Sequence, residues 1–568
     1  MGQWKRLCGG LAWLPLGYAL AACNAASGSG NSPNQQPPGG GGSAGSGGGG
    51  SVGTASCEDD GMGVAIPKRL VRLSYAQLAS GVEAVLGAPA RAAVDATKVA
   101  TGERDFQPLF KEGPQISSAV LPKTIQLVEA AANAGPVTGA CAVGDDACAQ
   151  QALLGLAQKA YRRPLSADEQ TSLTQLYTEL KAHGNTTEQA ASYATQGILL
   201  AAPALYRTEL GDPAAPTSRL TPYELASQIS YFLSNGPPDA TLLEAAASGA
   251  LATDDGVRAQ VDRLLQTPLV RENLKLAMLA YFELDNVLVD VKDGALYPEF
   301  TEGLRLSMLR ESELFLQETL FGSKLSDLLS SRKAYVNKVL APVYGVAYPG
   351  PASDLEDVFL PVELPADQRA GLLTRGAILA MRSRPDDTSV VSRGLFINAT
   401  MLCAEQPPEP PASVLGDVGA QLEDKTTTQR DKAQARATTS PCSGCHQYFD
   451  GYGLALESYD AIGRYRTSYA GFPGMPAIDT TATLPAAIGG AQVKNVFELV
   501  DVISNNGRFS HCMASNLMRY ALSDDSLLPS EDCGVVKLNE RFRAGDQSFA
   551  SLLREVAVAP TTTMRVAQ

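Results

Sequence analysis

The sequence predicts a mostly α, multi-domain helical protein, and three observations carry that expectation. At 568 residues the chain is too long for one ordinary hydrophobic core, so about two to four domains are expected. Apolar residues recur at the three-to-four spacing that gives a helix one buried face, often just after a residue suited to capping a helix start. Stretches with strand-like alternation are few.

Composition narrows the classes of function. Hydrophobic residues at 45% and charged residues at 19% describe a chain able to bury a stable interior. A net charge of −14 argues against nucleic acid or an anionic lipid surface as a partner. There are three histidines, His183, His446 and His511, too few for a histidine-rich metal enzyme.

Taken in order, the chain opens with Lys5 and Arg6 ahead of an apolar run from Leu7 to Leu20, the charge-then-hydrophobic pattern of an export signal. The run is too short for an ordinary membrane span. It ends in Leu20-Ala21-Ala22-Cys23, which looks like a bacterial lipobox; cleavage there would leave Cys23 as an acylated N-terminus inserted in a membrane. From Asn24 to about Ser56 the chain is almost entirely Gly, Ser, Asn, Pro and Ala. Such a segment cannot bury enough apolar surface to fold, so it reads as a tether holding the body on the order of 30 Å from the lipid. The expected organisation is a signal at 1–22, anchor and tether at 23–56, helical domains at 57–215 and 216–365, and a C-terminal region at 366–568.

Within the body, Ser74 suits the cap of a helix carrying Leu78 and Val82. Ser166 precedes Asp168 and Glu169, and Leu173, Leu176 and Leu180 continue one face. Thr221-Pro222-Tyr223-Glu224 places a cap, an N1 proline and an early acid ahead of Leu225, Ile229 and Phe232. Leu304 to Leu320 and Ala366 to Met381 extend the pattern. Ser510 is expected to cap a further helix that puts His511 in its first turn, with Met513, Leu517, Met518 and Tyr520 on the core side.

The most specific chemistry lies in Cys442-Ser443-Gly444-Cys445-His446. Two thiols three positions apart with an imidazole directly after them is the spacing for covalent haem attachment: the thiols form thioethers and the histidine reaches the iron from the same segment. This predicts a C-terminal cytochrome c-like module with one haem c on Cys442, Cys445 and His446. Met475, in the turn Gly471-Phe472-Pro473-Gly474-Met475-Pro476, is the leading candidate for the sixth iron ligand, and His511 is second. Arg464 and Arg466 are candidates to pair with haem propionates through planar two-point bonds. Asp450, Glu457 and Asp460 lie nearby without calcium-loop or paired-acid spacing. No Ser-His-Asp order, phosphate-cradling glycine loop or His-Glu-x-x-His motif occurs, so hydrolysis has no support.

Several stretches together resemble a known family. They are Tyr161-Arg162-Arg163-Pro164-Leu165, Leu220 to Ala226 running on to Leu233 and Pro237-Pro238-Asp239, and Ala334-Tyr335-Val336-Asn337 with Tyr344-Gly345. Arg369 to Thr374, Ser392-Arg393-Gly394, Leu402-Cys403 with the prolines to Pro411, the CxxCH stretch, and Phe509 to Tyr520 follow. This order resembles the planctomycete-type secreted cytochrome-like family, exported bacterial proteins built of consecutive domains of unknown function. The resemblance covers about Leu70 to Glu555 and implies an outer-surface or periplasmic location, without an assigned reaction. Two positions depart from the family pattern: Gly451 stands where a proline is frequent, and Ser234-Asn235 stands where tryptophan normally follows.

Beyond Cys8 and Cys23, eight cysteines remain: Cys57, Cys141, Cys148, Cys403, Cys442, Cys445, Cys512 and Cys533. Cys141 and Cys148 flank a short loop and suit a local disulfide. Cys403, Cys442, Cys445 and Cys512 could instead form two disulfides or a closed zinc site. Two functions are therefore expected in competition. One is a membrane-tethered redox protein, passing electrons to an unknown partner or oxidising an extracellular polymer or small molecule. The other is a non-catalytic surface binding or scaffold lipoprotein whose cysteines are structural.

Overall fold

The computed structural model describes residues 65–101, 116, 118, 120–322, 324–405, 427–440, 442–470, 472, 474–523 and 533–567. The export signal, Cys23, the Gly/Ser-rich tether and Cys57 lie outside the described residues. The described residues fall in one compact unit, 50–568, and they are mostly helical with a few small sheets.

Helix starts follow the local chemistry of the sequence. Ser74 accepts a hydrogen bond from the Gln77 amide while the Gln77 side chain accepts from the Ser74 amide, a reciprocal cap that starts the Tyr75–Leu86 helix. The same device opens Ala167–Ala182 through Ser166 and Glu169, and Pro222–Ser234 through Thr221 and Glu224. Each satisfies backbone donors that a helix start would otherwise leave unpaired. Pro222–Ser234 ends at Asn235 in the left-handed region, φ 53°, where a short polar side chain is tolerated and a bulky one strained.

Two helices differ from expectation. The Ala366–Met381 stretch is not one helix: its first part turns, Leu372–Thr374 is a 3-10 turn, and only Gly376–Met381 is α. Gly371 explains the break. Its φ is +54°, and a Cβ there would stand 2.1 Å from the Leu329 carbonyl carbon, so chain-to-chain approach overrides the apolar pattern. The second concerns Ser510, which lies inside the first turn of Arg508–Leu522 rather than capping it; Gly507 holds the cap position. His511 remains in the first turn, and Met513, Leu517, Met518 and Tyr520 are buried as the pattern requires.

The core has two main parts. Leu153, Leu156, Tyr177, Ile198 and several fully buried alanines pack the helices from 121 to 205; the small side chains let these helices approach closely. Cys141 and Cys148 are joined, Cα atoms 5.7 Å apart, as their spacing suggests. From Leu220 to Ala559 the buried apolar residues form one continuous cluster. Three short strands tie distant chain segments together: Ile66–Pro67 runs parallel to Met564–Val566, which pairs antiparallel with Thr217–Arg219. Alongside, Arg69–Arg72 pairs with Tyr206–Glu209. Between these sheets Glu209, fully buried, receives Arg69, Arg207 and Arg565.

Two glycines fix the segment that carries the cysteine motif. A Cβ on Gly453 would lie 1.9 Å from the Val390 carbonyl oxygen, and one on Gly394 would lie 2.1 Å from the Phe449 carbonyl oxygen. The Val390–Phe396 and Asp450–Leu454 helices therefore cross in backbone contact, each supplying the gap for the other. Gly451 has a third such contact, 2.3 Å from Thr483 O.

Candidate functional site

The motif forms a single helical turn, Cys442–His446, packed on the Gln429–Thr438 helix that precedes it. That helix is fixed at its start by Thr428, whose hydroxyl accepts from the Asp431 amide while the Asp431 carboxylate accepts from the Thr428 amide. At its far end Arg436, buried, donates from Nε to Asp450 Oδ2 at 2.9 Å. The other oxygen of Asp450 stands 3.1 Å from His446 Nδ1. A carboxylate that already faces a guanidinium accepts here, so Nδ1 carries the proton and Nε2 keeps its lone pair. Phe449 packs edge-on against the imidazole, centroids 5.0 Å apart.

Ser443, His446, Gln447, Asp450 and Leu454 recur at helical spacing and form one wall of a cleft of about 710 Å³. Arg430, Ala433 and Ala437 of the Gln429–Thr438 helix form a second wall, and Thr483, Val493 and Lys494 a third. Cys442 and Cys445, both half-buried and both free thiols, are not among the described residues lining the cleft.

The other candidates fall elsewhere. Met475 sits in a turn closed by its amide donating to Phe472 O at 3.0 Å; it is 66% exposed, and it is not among the described residues lining the cleft. Arg464 donates from Nε to Asp460 Oδ2 at 2.6 Å and pairs with Glu299. Arg466 pairs with the fully buried Glu457 at 2.6 Å. Burial pushes the Glu457 carboxyl up, with Arg466 and Arg393 pulling the other way. Both arginines line a second cleft together with Phe472. His511 precedes Cys512, and Cys512 is bonded to Cys403 with Cα atoms 5.2 Å apart. That bond rules out the closed four-cysteine zinc site and is one of the two disulfides that the grouping allows; the second does not form, because Cys442 and Cys445 are free thiols. Cys533 is also disulfide-bonded. Among the described residues no group of three or more His, Cys, Asp or Glu side chains is disposed to hold a metal ion.

Four family models match consecutive parts of the chain, each described as a protein of unknown function: DUF1595 over residues 148–209 and DUF1592 over 220–346, then DUF1588 over 369–469 and DUF1585 over 489–561. The chain carries these four domains in tandem. Their order supports the planctomycete-type family that the motifs resemble. The DUF1588 match contains Cys442, Cys445, His446, Arg464 and Arg466, and ends before Met475. The DUF1585 match contains His511 and the Cys512 end of the disulfide, while Cys403 lies in the DUF1588 match. No curated protein and no solved structure matches the chain.

The sequence reading named Asp450 without giving it a role, and missed Arg436, Arg430 and Lys494. Asp450 was within reach, because a carboxylate four residues after a histidine on one helical path is a ready partner for its ring. Arg430 and Lys494 carry no such signal; they meet at the cleft from segments 64 positions apart.

Proposed function

We propose that the chain is an exported, membrane-tethered lipoprotein that carries one covalent c-type haem and acts in extracytoplasmic electron transfer or oxidation. The observation that carries the reading is the pair of free thiols, Cys442 and Cys445, on one turn with a histidine that lines a 710 Å³ cleft. Other cysteines of the chain pair off, Cys141 with Cys148 and Cys403 with Cys512. A pair left unbonded among oxidised neighbours, in an exported chain, has a reason to be kept for ligation.

The residues fit the group in three respects. The cleft lies within the 300–1,000 Å³ range of cofactor and ligand pockets. Asp450 orients the His446 ring and leaves Nε2 with a lone pair to give to iron. Lys494 on the cleft wall is a cation suited to a propionate; Arg430 is engaged by Asp479 and the Thr481 carbonyl, and Arg464 and Arg466 by Asp460, Glu299 and Glu457. When bound, the haem supplies one-electron exchange at iron. Cys442 and Cys445 would anchor it, His446 would ligate it, and Asp450 would raise the basicity of that ligand. The name of the family model over residues 369–469, PSCyt3, points in the same direction.

Cys23 as the acylated anchor and Met475 as sixth ligand belong to the same reading. Fatty-acid labelling of wild type and Cys23→Ala tests the anchor. For the haem, the chain is made in a host with haem-attachment machinery, run on a denaturing gel and stained for peroxidase activity. Thioether-bound haem survives denaturation, so wild type stains and the Cys442→Ala/Cys445→Ala variant does not. An unstained wild type would favour the surface binding or scaffold protein.

A further inference from the structure

The Gln429–Thr438 helix has a second wetted face. Arg430, Ala433 and Ala437 look into the His446 cleft, while Lys432 lines a separate cleft of about 740 Å³ bounded by the 384–387 loop and the 460–472 segment. Lys432 is 7% exposed, and its ammonium makes no hydrogen bond or ion pair among the described residues. Its stem is packed while its ammonium opens onto the cleft, so this side chain is placed to meet an anion that enters there.

The other charges in the cleft are already committed. Arg464 is held by Asp460 and Glu299, and Arg466 by Glu457. Asp387 accepts from Gln429 Nε2 at 2.7 Å and from the Thr388 amide. What remains is a point charge at Lys432 and the exposed Arg384 at the rim. Phosphate sites generally use forked guanidiniums or clustered backbone amides; the forks of Arg464 and Arg466 are spent, and that of Arg384 lies at the exposed rim. One point charge suits one carboxylate. The volume far exceeds what an inorganic anion fills, and Tyr465, 37% exposed, and Phe472 offer aromatic surface for a ring. Ser468 adds a polar group on the same walls that suits a hydroxyl.

We propose that this cleft binds a sugar acid, its carboxylate on Lys432 and its ring against Tyr465 and Phe472. The site uses residues that the haem reading leaves unemployed, and it stands whether or not haem is attached.

The test is calorimetric titration of the purified full chain with D-glucuronate, D-glucose, benzoate and inorganic phosphate. Glucuronate is expected to bind saturably, with the other three at least tenfold weaker. Lys432→Gln should weaken glucuronate at least tenfold while leaving the thermal unfolding midpoint in place. No binding of glucuronate, equal binding of glucose, or wild-type affinity in Lys432→Gln would overturn the site. Equal binding of benzoate or phosphate would overturn the sugar-acid assignment. Should Lys432→Gln fail to fold, the exposed Arg384→Gln is used; it should weaken glucuronate two- to fivefold, and unchanged affinity would count against the proposal.

Discussion

Replacing Glu209 by alanine should be among the most damaging single changes in this protein. Glu209 is fully buried and accepts from Arg69 Nε at 2.8 Å, from Arg207 Nε at 3.0 Å and from Arg565 Nε at 3.1 Å. Burial alone would push its carboxyl up, but the three guanidiniums hold it well below the usual carboxylate range. Arg207 and Arg565 have side chains 2% and 0% exposed, so removing the one acid leaves two guanidiniums in the interior with no counter-charge. Breaking a buried pair by deleting one partner costs about 3–5 kcal/mol, a hundredfold or more in the folding equilibrium. The same strands hold both the first described residues and the last, so the loss should spread through both sheets. By contrast Asp255, 97% exposed in its pair with Arg258, should tolerate alanine within about 0.5 kcal/mol. Urea unfolding followed by far-ultraviolet circular dichroism compares the two. A Glu209→Ala protein within about 1 kcal/mol of wild type would refute the reasoning.

Further outcomes follow from particular contacts. Gly453→Ala puts a methyl 1.9 Å from the Val390 carbonyl oxygen and should cost about 1–3 kcal/mol through overpacking; the same urea titration measures it. Asp146 is held at about 2, chiefly by hydrogen bonds from Thr187 and Tyr177. Because its folded pKa is depressed, its contribution is fully present above its ordinary value and is lost as pH falls through about 2. Amide exchange in the Asp146–Tyr161 helix should therefore quicken between pH 4 and pH 2, and Asp146→Asn should remove that acid step. In haem-loaded protein, Asp450→Asn weakens the acceptor on His446 Nδ1 and should raise the reduction potential without releasing the haem, as read by spectroelectrochemical titration.

What was legible in the sequence is what is local. The caps at Ser74, Ser166 and Thr221 each join residues three apart, and the Cys141–Cys148 bridge closes over seven; residue types at such spacing carry the information by themselves. The motif at 442–446 is read from spacing in the same way. Long-range partners were not: Glu209 meets Arg69 and Arg565 across 140 and 356 positions, and Cys403 meets Cys512 across 109. Arg464 and Arg466 show the consequence. Their forks suit a propionate as well as a carboxylate side chain, and only the fold brings Glu299 and Glu457 within reach. Lys432 was hidden differently, since a polar helix reads as solvated and nothing in its sequence reveals that one lysine is covered. Ala366–Met381 misled because apolar spacing cannot report that Gly371 lies against Leu329.

Intact mass, taken with a reduced-minus-oxidised visible spectrum of the purified chain from a haem-attaching host, tests the haem assignment most directly. The expected result is the mature chain plus one haem, an absorbance change on reduction, and neither Cys442 nor Cys445 available to a thiol reagent. His446→Ala should keep the added mass and change the spectrum. A mass equal to the bare chain, with Cys442 and Cys445 either reactive as thiols or joined to each other, would contradict a covalent haem at this site.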